Sequence, residues 1–169
     1  MELKELSTKV LEEFGVRTVD KLGDALMECV LSNDVKKLSA FELLVEDLTV
    51  DWLQKIYQYY QADRKGNKQD YTPKSVAEFV TRLCGTSDVT IDMCAGSGAL
   101  TIQRWSECKE GAFVLHEIDK NVIPYLLFNM ALRNIECTVY NDDVLQQEII
   151  KTYFVKKGER YGKVEEMLI

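Results

Sequence analysis

A glycine-containing loop between a strand-like segment and a helix-like segment constrains this chain most. Residues 89–92 (Val-Thr-Ile-Asp) predict a short buried strand, and residues 99–102 (Ala-Leu-Thr-Ile) predict the start of a helix. Gly96 and Gly98 lie between them, where glycine permits a sharp turn and a close approach of backbone amides to a ligand. The segment is therefore predicted to be a ligand-binding loop and half of a βαβ unit in an α/β fold.

Carboxylates follow three predicted strands. Asp92 ends the first strand, Glu117 follows residues 112–116, and Asp143 follows residues 137–140. Three carboxylates would repel a pyrophosphate, and the loop lacks the third glycine of a dinucleotide-binding fingerprint. They favour a cationic ligand instead. S-adenosylmethionine fits this expectation, because it carries a sulfonium, an ammonium, ribose hydroxyls and an adenine amine but no phosphate.

Four short motifs together resemble a known family. They are Tyr71-Thr72-Pro73, Asp92-Met93-Cys94-Ala95-Gly96-Ser97-Gly98, His116-Glu117-Ile118-Asp119 and Asn141-Asp142-Asp143-Val144-Leu145. In residue type, order and spacing they are similar to the adenine-N6 DNA methyltransferases, especially the modification subunits of type I restriction-modification systems. The resemblance implies a partial Rossmann-like methyltransferase sheet over residues 71–169, preceded by an α-helical region over residues 1–70.

The resemblance also implies roles for these residues. Residues 71–73 and 92–98 would surround the methionine part of the cofactor, and Glu117 would take the ribose hydroxyls. Asp143 would accept a hydrogen bond from the adenine amine, with Asp142 as the alternative acceptor. Each motif alone also fits a plain turn or helix cap, and their joint spacing favours the cofactor site. The candidate cofactor-binding residues are Tyr71, Thr72, Pro73, Asp92, Cys94, Ala95, Gly96, Gly98, Glu117, Ile118, Asp142 and Asp143.

The catalytic loop of that family is absent from the sequence. Its members carry Asn/Asp-Pro-Pro-Tyr/Phe after the fourth strand, which binds the target amine and stacks on the flipped base. Here Pro73 and Pro124 are the two prolines, and each stands alone. Residues 144–153 predict a helix, residues 155–163 a connection, and residues 164–169 the start of the fourth strand. The chain is therefore expected to stop short of the loop and to be inactive alone.

A sheet cut at this point is expected to expose its first strand. In the family's strand order that strand is central, so residues 164–169, a second copy or another protein would have to cover its edge. We therefore expect a protein partner or self-association. Three functions remain open: the cofactor-binding part of a split methyltransferase, a regulatory or inhibitory module of a restriction-modification or other defence complex, and a methyltransferase acting on small molecules or proteins.

Composition limits the other functions. Against 28 Asp and Glu there are 21 Lys and Arg, and the net charge of −7 predicts DNA binding only weakly or through a partner. Five cysteines without a Cys-x-x-Cys pair indicate neither a disulfide framework nor a zinc site. No signal peptide or membrane span is indicated, so a cytoplasmic location is expected. Strand alternation directs the single histidine, His116, away from Glu117, and a structural role is predicted for it.

The N-terminal region has the spacing of amphipathic helices. Apolar residues recur at helical intervals over residues 3–14, 22–30 and 52–60. A further short helix is predicted over residues 38–48. These segments form the helical region expected ahead of the α/β part.

Overall fold

The computed structural model describes residues 2–60, 72–85 and 87–167. Four helices precede an α/β segment, as the sequence predicts. The helices are α1 (Leu3–Phe14), α2 (Leu22–Leu31), α3 (Val35–Leu44), α4 (Trp52–Tyr60), α5 (Lys74–Cys84), α6 (Ala99–Glu107) and α7 (Ile123–Leu132), with a 3₁₀ turn at Val19–Lys21. The strands are β1 (Val89–Asp92), β2 (Ala112–Glu117), β3 (Cys137–Asp143), β4 (Glu148–Lys156) and β5 (Lys163–Met167).

The sequence supplies caps at the ends of the N-terminal helices. Gly15, with a φ of 69°, ends α1 in the left-handed conformation. Asp34 Oδ1 accepts hydrogen bonds from the backbone N–H groups of Lys36 (3.1 Å) and Lys37 (3.2 Å), so α3 begins directly after Asp34. The bounds predicted for this helix, residues 38–48, were therefore wrong, although a helix exists in this part of the chain.

The five strands form one mixed sheet in the order β1-β2-β3-β4-β5. The first three are parallel, and α6 and α7 connect them. Parallel strands require such crossover connections, which is why a strand, a loop and a helix alternate here. β4 pairs with β3 in antiparallel orientation, and β5 pairs with β4 in the same way. The predicted α/β fold with a partial Rossmann-like sheet is confirmed.

The helix predicted over residues 144–153 was wrong. The Asp143 carboxylate accepts hydrogen bonds from the backbone N–H groups of Leu145 (3.0 Å) and Gln146 (3.1 Å), which closes a turn. β4 follows this turn and pairs with β3. Its β-branched and aromatic side chains suit a strand, and alternation buries Tyr153 against the core. Leu145, which would have lain on the apolar face of such a helix with Ile149 and Ile150, is 93% exposed.

The C-terminal segment also differs from the prediction. Residues 155–163 are not a simple connection, because β4 continues to Lys156 and only residues 157–162 link it to β5. So short a link permits an antiparallel hairpin but not a crossover to a parallel strand. Residues 164–169 were expected to begin the fourth strand and were one of three alternatives for covering the edge of β1, yet β5 pairs with β4; residues 168–169 lie outside the described part. Within the described residues β1 is a sheet edge, as predicted, and β5 does not cover it.

The hydrophobic core joins the N-terminal helices to the sheet through α7. Phe128 of α7 packs edge-to-face against Phe14 of α1 at 5.5 Å and against Phe41 of α3 at 5.1 Å between ring centroids. On the sheet, Leu115 and Val139 are fully buried in the same cluster. The core therefore fixes α7, and with it the loops that pack on α7.

Candidate functional site

The glycine loop connects β1 to α6 at the carboxyl end of the parallel strands. Gly96 and Gly98 have φ values of 55° and 96°, which favour glycine. A Cβ on Gly98 would lie 2.7 Å from Met130 Cε of α7. The Gly98 N–H donates to the Ala95 carbonyl and the Ala95 N–H donates to the His116 carbonyl, both at 2.8 Å. The loop is thus held between β2 and α7.

Glu117 reaches from the end of β2 to the glycine loop. Its Oε2 accepts a hydrogen bond from the Gly96 N–H (2.8 Å), and its Oε1 accepts one from the Asp119 N–H (2.7 Å). Burial raises the pKa of the Glu117 carboxyl, although these hydrogen bonds oppose the rise. Each carboxylate oxygen has two lone pairs, so both oxygens keep capacity for a further donor such as a hydroxyl.

Asp92 presents a buried oxygen without a partner. Its Oδ1 accepts a hydrogen bond from the Cys94 N–H (3.2 Å), whereas its Oδ2 is buried and has no hydrogen-bond partner. Burial raises the pKa of this carboxyl. With Thr101 and Arg104 of α6, which also carry unpartnered buried polar atoms, Asp92 lines a cavity of about 210 Å³ between α5, β1 and α6. A ligand that donates hydrogen bonds would relieve the cost of the unpaired Asp92 oxygen.

The adjacent residues Asp142 and Asp143 have different surroundings. Asp142 Oδ2 lies 2.8 Å from His116 Nδ1, and its Oδ1 is buried without a partner. Asp143 closes the turn before β4 with its Oδ1. The His116 ring also stacks on Tyr140, with centroids 4.9 Å apart, and its hydrogen-bond partner is Asp142 rather than Glu117. The predicted direction of His116 is confirmed, but its ties to β3 were not predicted.

The remaining candidates are less closely grouped. Tyr71 lies outside the described residues. Thr72 and Pro73 line a second cavity of about 230 Å³ between α4, α5 and α6, and none of the described strand-end carboxylates lines it. Cys94 and Ile118 are exposed, and Ile118 is 59% accessible. The structure therefore brings together the candidates on β1, β2 and β3, but not Thr72 and Pro73 with them.

A buried polar cluster behind the loop was missed at the level of sequence. It consists of Asp51, Ser97, Asn129 and Arg133, each no more than 5% exposed. Hydrogen bonds connect all four side chains. One signal was available, since Asn129 of α7 and Arg133, which directly follows α7, stand four residues apart, the spacing that places side chains on one face of a helix.

A known protein family matches most of this chain. The family model described as N-6 DNA Methylase matches residues 46–160, more than half of the chain. The chain belongs to the N-6 DNA methylase family. This family generally uses S-adenosylmethionine, and the match covers α4, the glycine loop and all three strand-end carboxylates of the chain. No significant match was found among curated proteins or among solved structures.

Within residues 2–60, 72–85 and 87–167, no helix combines the length and the apolar character needed to cross a bilayer.

Proposed function

We propose that this protein binds S-adenosylmethionine at the carboxyl ends of β1, β2 and β3. The observation that carries the proposal is that Asp92 and Asp142, on strands either side of β2, each keep a buried carboxylate oxygen without a partner. Unpaired buried acceptors are costly and uncommon in folded proteins. A cationic ligand with amine and hydroxyl donors would satisfy them, and membership of the N-6 DNA methylase family supports this particular ligand.

The proposed roles follow the free hydrogen-bonding capacity of each group. Glu117 accepts from the ribose hydroxyls, because each of its oxygens has one backbone partner and room for another. For the adenine amine, position in the motif supports Asp143, and the unpartnered buried Oδ1 supports Asp142. Gly96 and Gly98 allow the backbone to approach the methionine part. When bound, the cofactor supplies a methyl group on a sulfonium.

Isothermal titration calorimetry with S-adenosylmethionine tests the site. We expect binding by the wild type, and loss of at least about tenfold in affinity for Glu117→Gln, because a hydrogen bond to a charged group contributes roughly 1.5–3 kcal/mol. Asp142→Asn and Asp143→Asn identify the adenine acceptor by which of them weakens binding. Glu165→Gln, an exposed carboxylate on β5, is the matched control and should bind normally. A folded wild type that does not bind would refute the proposal.

We further propose that the chain alone does not methylate DNA. Support comes from the sequence, where neither Pro73 nor Pro124 belongs to a Pro-Pro loop, and from the net charge of −7, which disfavours DNA binding without a partner. Transfer of a labelled methyl group to duplex DNA measures this directly. Methylation by the purified chain that Asp92→Ala abolishes would contradict the proposal.

A protein partner or self-association at β1 is proposed as well. The Ala112 N–H donates to the Asp88 carbonyl, so in the parallel ladder the backbone groups of Val89 and Ile91 face away from β2. Their side chains are 53% and 61% exposed. Such an edge supports pairing with another strand. Light scattering and co-purification test this, and Ile91→Lys should abolish the association while the protein stays folded.

The identity of the partner separates two functions. A partner that carries Asn-Pro-Pro-Tyr/Phe would make this chain the cofactor-binding part of a split adenine-N6 DNA methyltransferase. Binding to an already complete methyltransferase would make it a regulatory or inhibitory module of a restriction-modification or other defence complex. A chain that stays monomeric and binds neither would contradict both.

We propose a cytoplasmic location. All five cysteines are unpaired, and this supports a reducing compartment. Fractionation of cells that express the natural protein tests the location, and recovery with an extracellular or membrane fraction would contradict it.

A further inference from the structure

A buried polar network ties the start of α4 to the glycine loop. The Asp51 carboxylate directly precedes α4 and accepts a hydrogen bond from the Gln54 backbone N–H at 2.8 Å. Its other donors come from distant parts of the chain: the Ser97 hydroxyl at 2.7 Å and the Asn129 side-chain amide at 2.9 Å. One carboxylate therefore caps a helix and also binds the residue between the two loop glycines.

Arg133, the residue that directly follows α7, holds the segment that carries Asp51. Its guanidinium donates to the carbonyls of Leu48 (2.7 Å) and Val50 (3.0 Å) and to the side-chain oxygen of Asn129 (2.8 Å). Burial lowers the pKa of Arg133 to about 10, and the Asp51 charge opposes this fall. Buried charges are tolerated when they are hydrogen-bonded and an opposite charge lies nearby, and here the Asn129 side-chain amide bridges the Asp51 carboxylate and the Arg133 guanidinium. The segment before α4 thus has little freedom to move away from α7.

The same hydrogen-bond network holds Ser97 in place. Its hydroxyl binds Asp51, and its carbonyl accepts a second hydrogen bond from the Asn129 side-chain amide at 2.9 Å. Glycine has the greatest backbone freedom of any residue type, and Gly96 and Gly98 flank Ser97. Without the hydrogen bonds of Ser97, the loop would therefore lose much conformational entropy when it orders around a ligand. Fixing Ser97 in the ligand-free protein removes part of that cost.

We propose that Asp51 is a positioning residue, whose carboxylate acts through Ser97 to hold the glycine loop in the conformation that binds the cofactor. This inference rests on the proposed function, because the loop is positioned for S-adenosylmethionine. It assigns a role to the N-terminal region, which the sequence motifs of the cofactor site do not include. Asp51 acts on the loop and not on the reacting atoms.

Ser97→Ala is the sharpest test, because it removes only the hydroxyl that reaches Asp51. The matched control is Ser7→Ala: Ser7 is equally buried, and its hydroxyl donates to the Leu3 carbonyl at 2.8 Å within α1. Hydrogen exchange of the Ala95 and Gly98 amides in the ligand-free protein reports the loop. We expect exchange about tenfold faster in Ser97→Ala and unchanged in the control, since a hydrogen bond to a charged group is lost only in the first.

A second variant shows whether the effect passes through Asp51. Asp51→Asn should also speed exchange at Ala95 and Gly98, and its combination with Ser97→Ala should be far from additive because the two residues share one contact. Additive effects of the two substitutions would overturn the assigned route. Unchanged loop exchange in Ser97→Ala would overturn the positioning itself, whatever the wild type binds.

Calorimetry then separates this inference from the proposed function. We expect Ser97→Ala to bind S-adenosylmethionine about tenfold more weakly than wild type and Ser7→Ala to bind normally. Faster exchange with unchanged affinity would overturn the link between loop position and binding. If the wild type binds no cofactor, the proposed function fails, and the exchange measurements alone decide whether Asp51 holds the loop.

Discussion

Replacement of Gly98 by alanine measures how closely the glycine loop packs on α7. Two costs add. An L-residue at a φ of 96° is disfavoured by roughly 1–2 kcal/mol. The new Cβ would also lie 2.7 Å from Met130 Cε and 3.0 Å from Leu126 Cδ1, both on fully buried side chains of α7. Because these atoms are the ends of flexible side chains, we take overpacking at about 1–2 kcal/mol, the lower part of its usual range.

The sum, about 2–4 kcal/mol, is large against the roughly 5–15 kcal/mol that stabilises a typical domain. For a chain of this length it lowers the melting temperature by roughly 4–16 °C. Urea denaturation followed by circular dichroism measures the free energy of unfolding directly. We expect a lower midpoint with little change in the slope of the transition.

Gly15→Ala supplies the control for the backbone cost alone. Gly15 has a φ of 69°, and no heavy atom lies within 4 Å of the position that its Cβ would take. Its substitution should cost only about 1–2 kcal/mol. Met130→Ala destabilises the buried core by itself, but its cost and that of Gly98→Ala should be less than additive, because it removes the atom that the new Cβ meets. Equal destabilisation by Gly98→Ala and Gly15→Ala, with additive costs in the double variant, would refute the close contact between loop and helix.

Three further outcomes are expected. Asp92→Asn should raise the free energy of unfolding at pH 7, because burial raises the pKa of Asp92 and so disfavours its ionised form in the fold. In urea titrations the gain should vanish at low pH, where the wild-type carboxyl is protonated. Asn134→Ala should lower stability by about 2 kcal/mol in thermal melts, since its side chain makes two 2.9 Å hydrogen bonds to the Gly158 backbone. The affinity for S-adenosylmethionine, measured by calorimetry, should fall as the pH drops, because only the ionised form of Glu117 accepts hydrogen bonds at both oxygens. The fall should occur at a higher pH than for an ordinary carboxyl, because burial raises the pKa of Glu117. Glu117→Gln should flatten this pH profile.

The parallel part of the sheet could be predicted because local patterns determine it. A short apolar run, a glycine loop or acidic residue, and a helix signal recur in chain order, and β1, β2 and β3 lie where these patterns place them. β4 was mistaken for a helix because Leu145, Ile149, Ile150 and Phe154 also have helical spacing. Pairing with β3 decides between the two structures, and that contact is not local. Enrichment in β-branched and aromatic residues was the available signal.

The candidate site also has a part that could be predicted from sequence and a part that could not. Strand-end carboxylates can be placed from sequence, because the carboxyl ends of parallel strands meet at one edge of a sheet. Their partners cannot, since the hydrogen bonds from Ser97 to Asp51 and from His116 to Asp142 join residues that are 46 and 26 positions apart. The role of Asp51 depends on how α4 docks on α7, and no pattern near Asp51 encodes that docking.

Two buried carboxylates show what distinguishes structural support from a binding position. Burial raises the pKa of both Asp51 and Asp92. Asp51 nevertheless accepts hydrogen bonds from three donors, whereas Asp92 accepts one and leaves Oδ2 without a partner. A buried polar group with a structural role normally has hydrogen-bond partners within the fold. The unpartnered Asp92 oxygen beside the loop lowers stability, so a contribution to stability does not explain its presence. Hydrogen-bond satisfaction, more than burial or pKa, therefore separates Asp51, which we propose to position the loop, from Asp92, which we propose to bind the ligand.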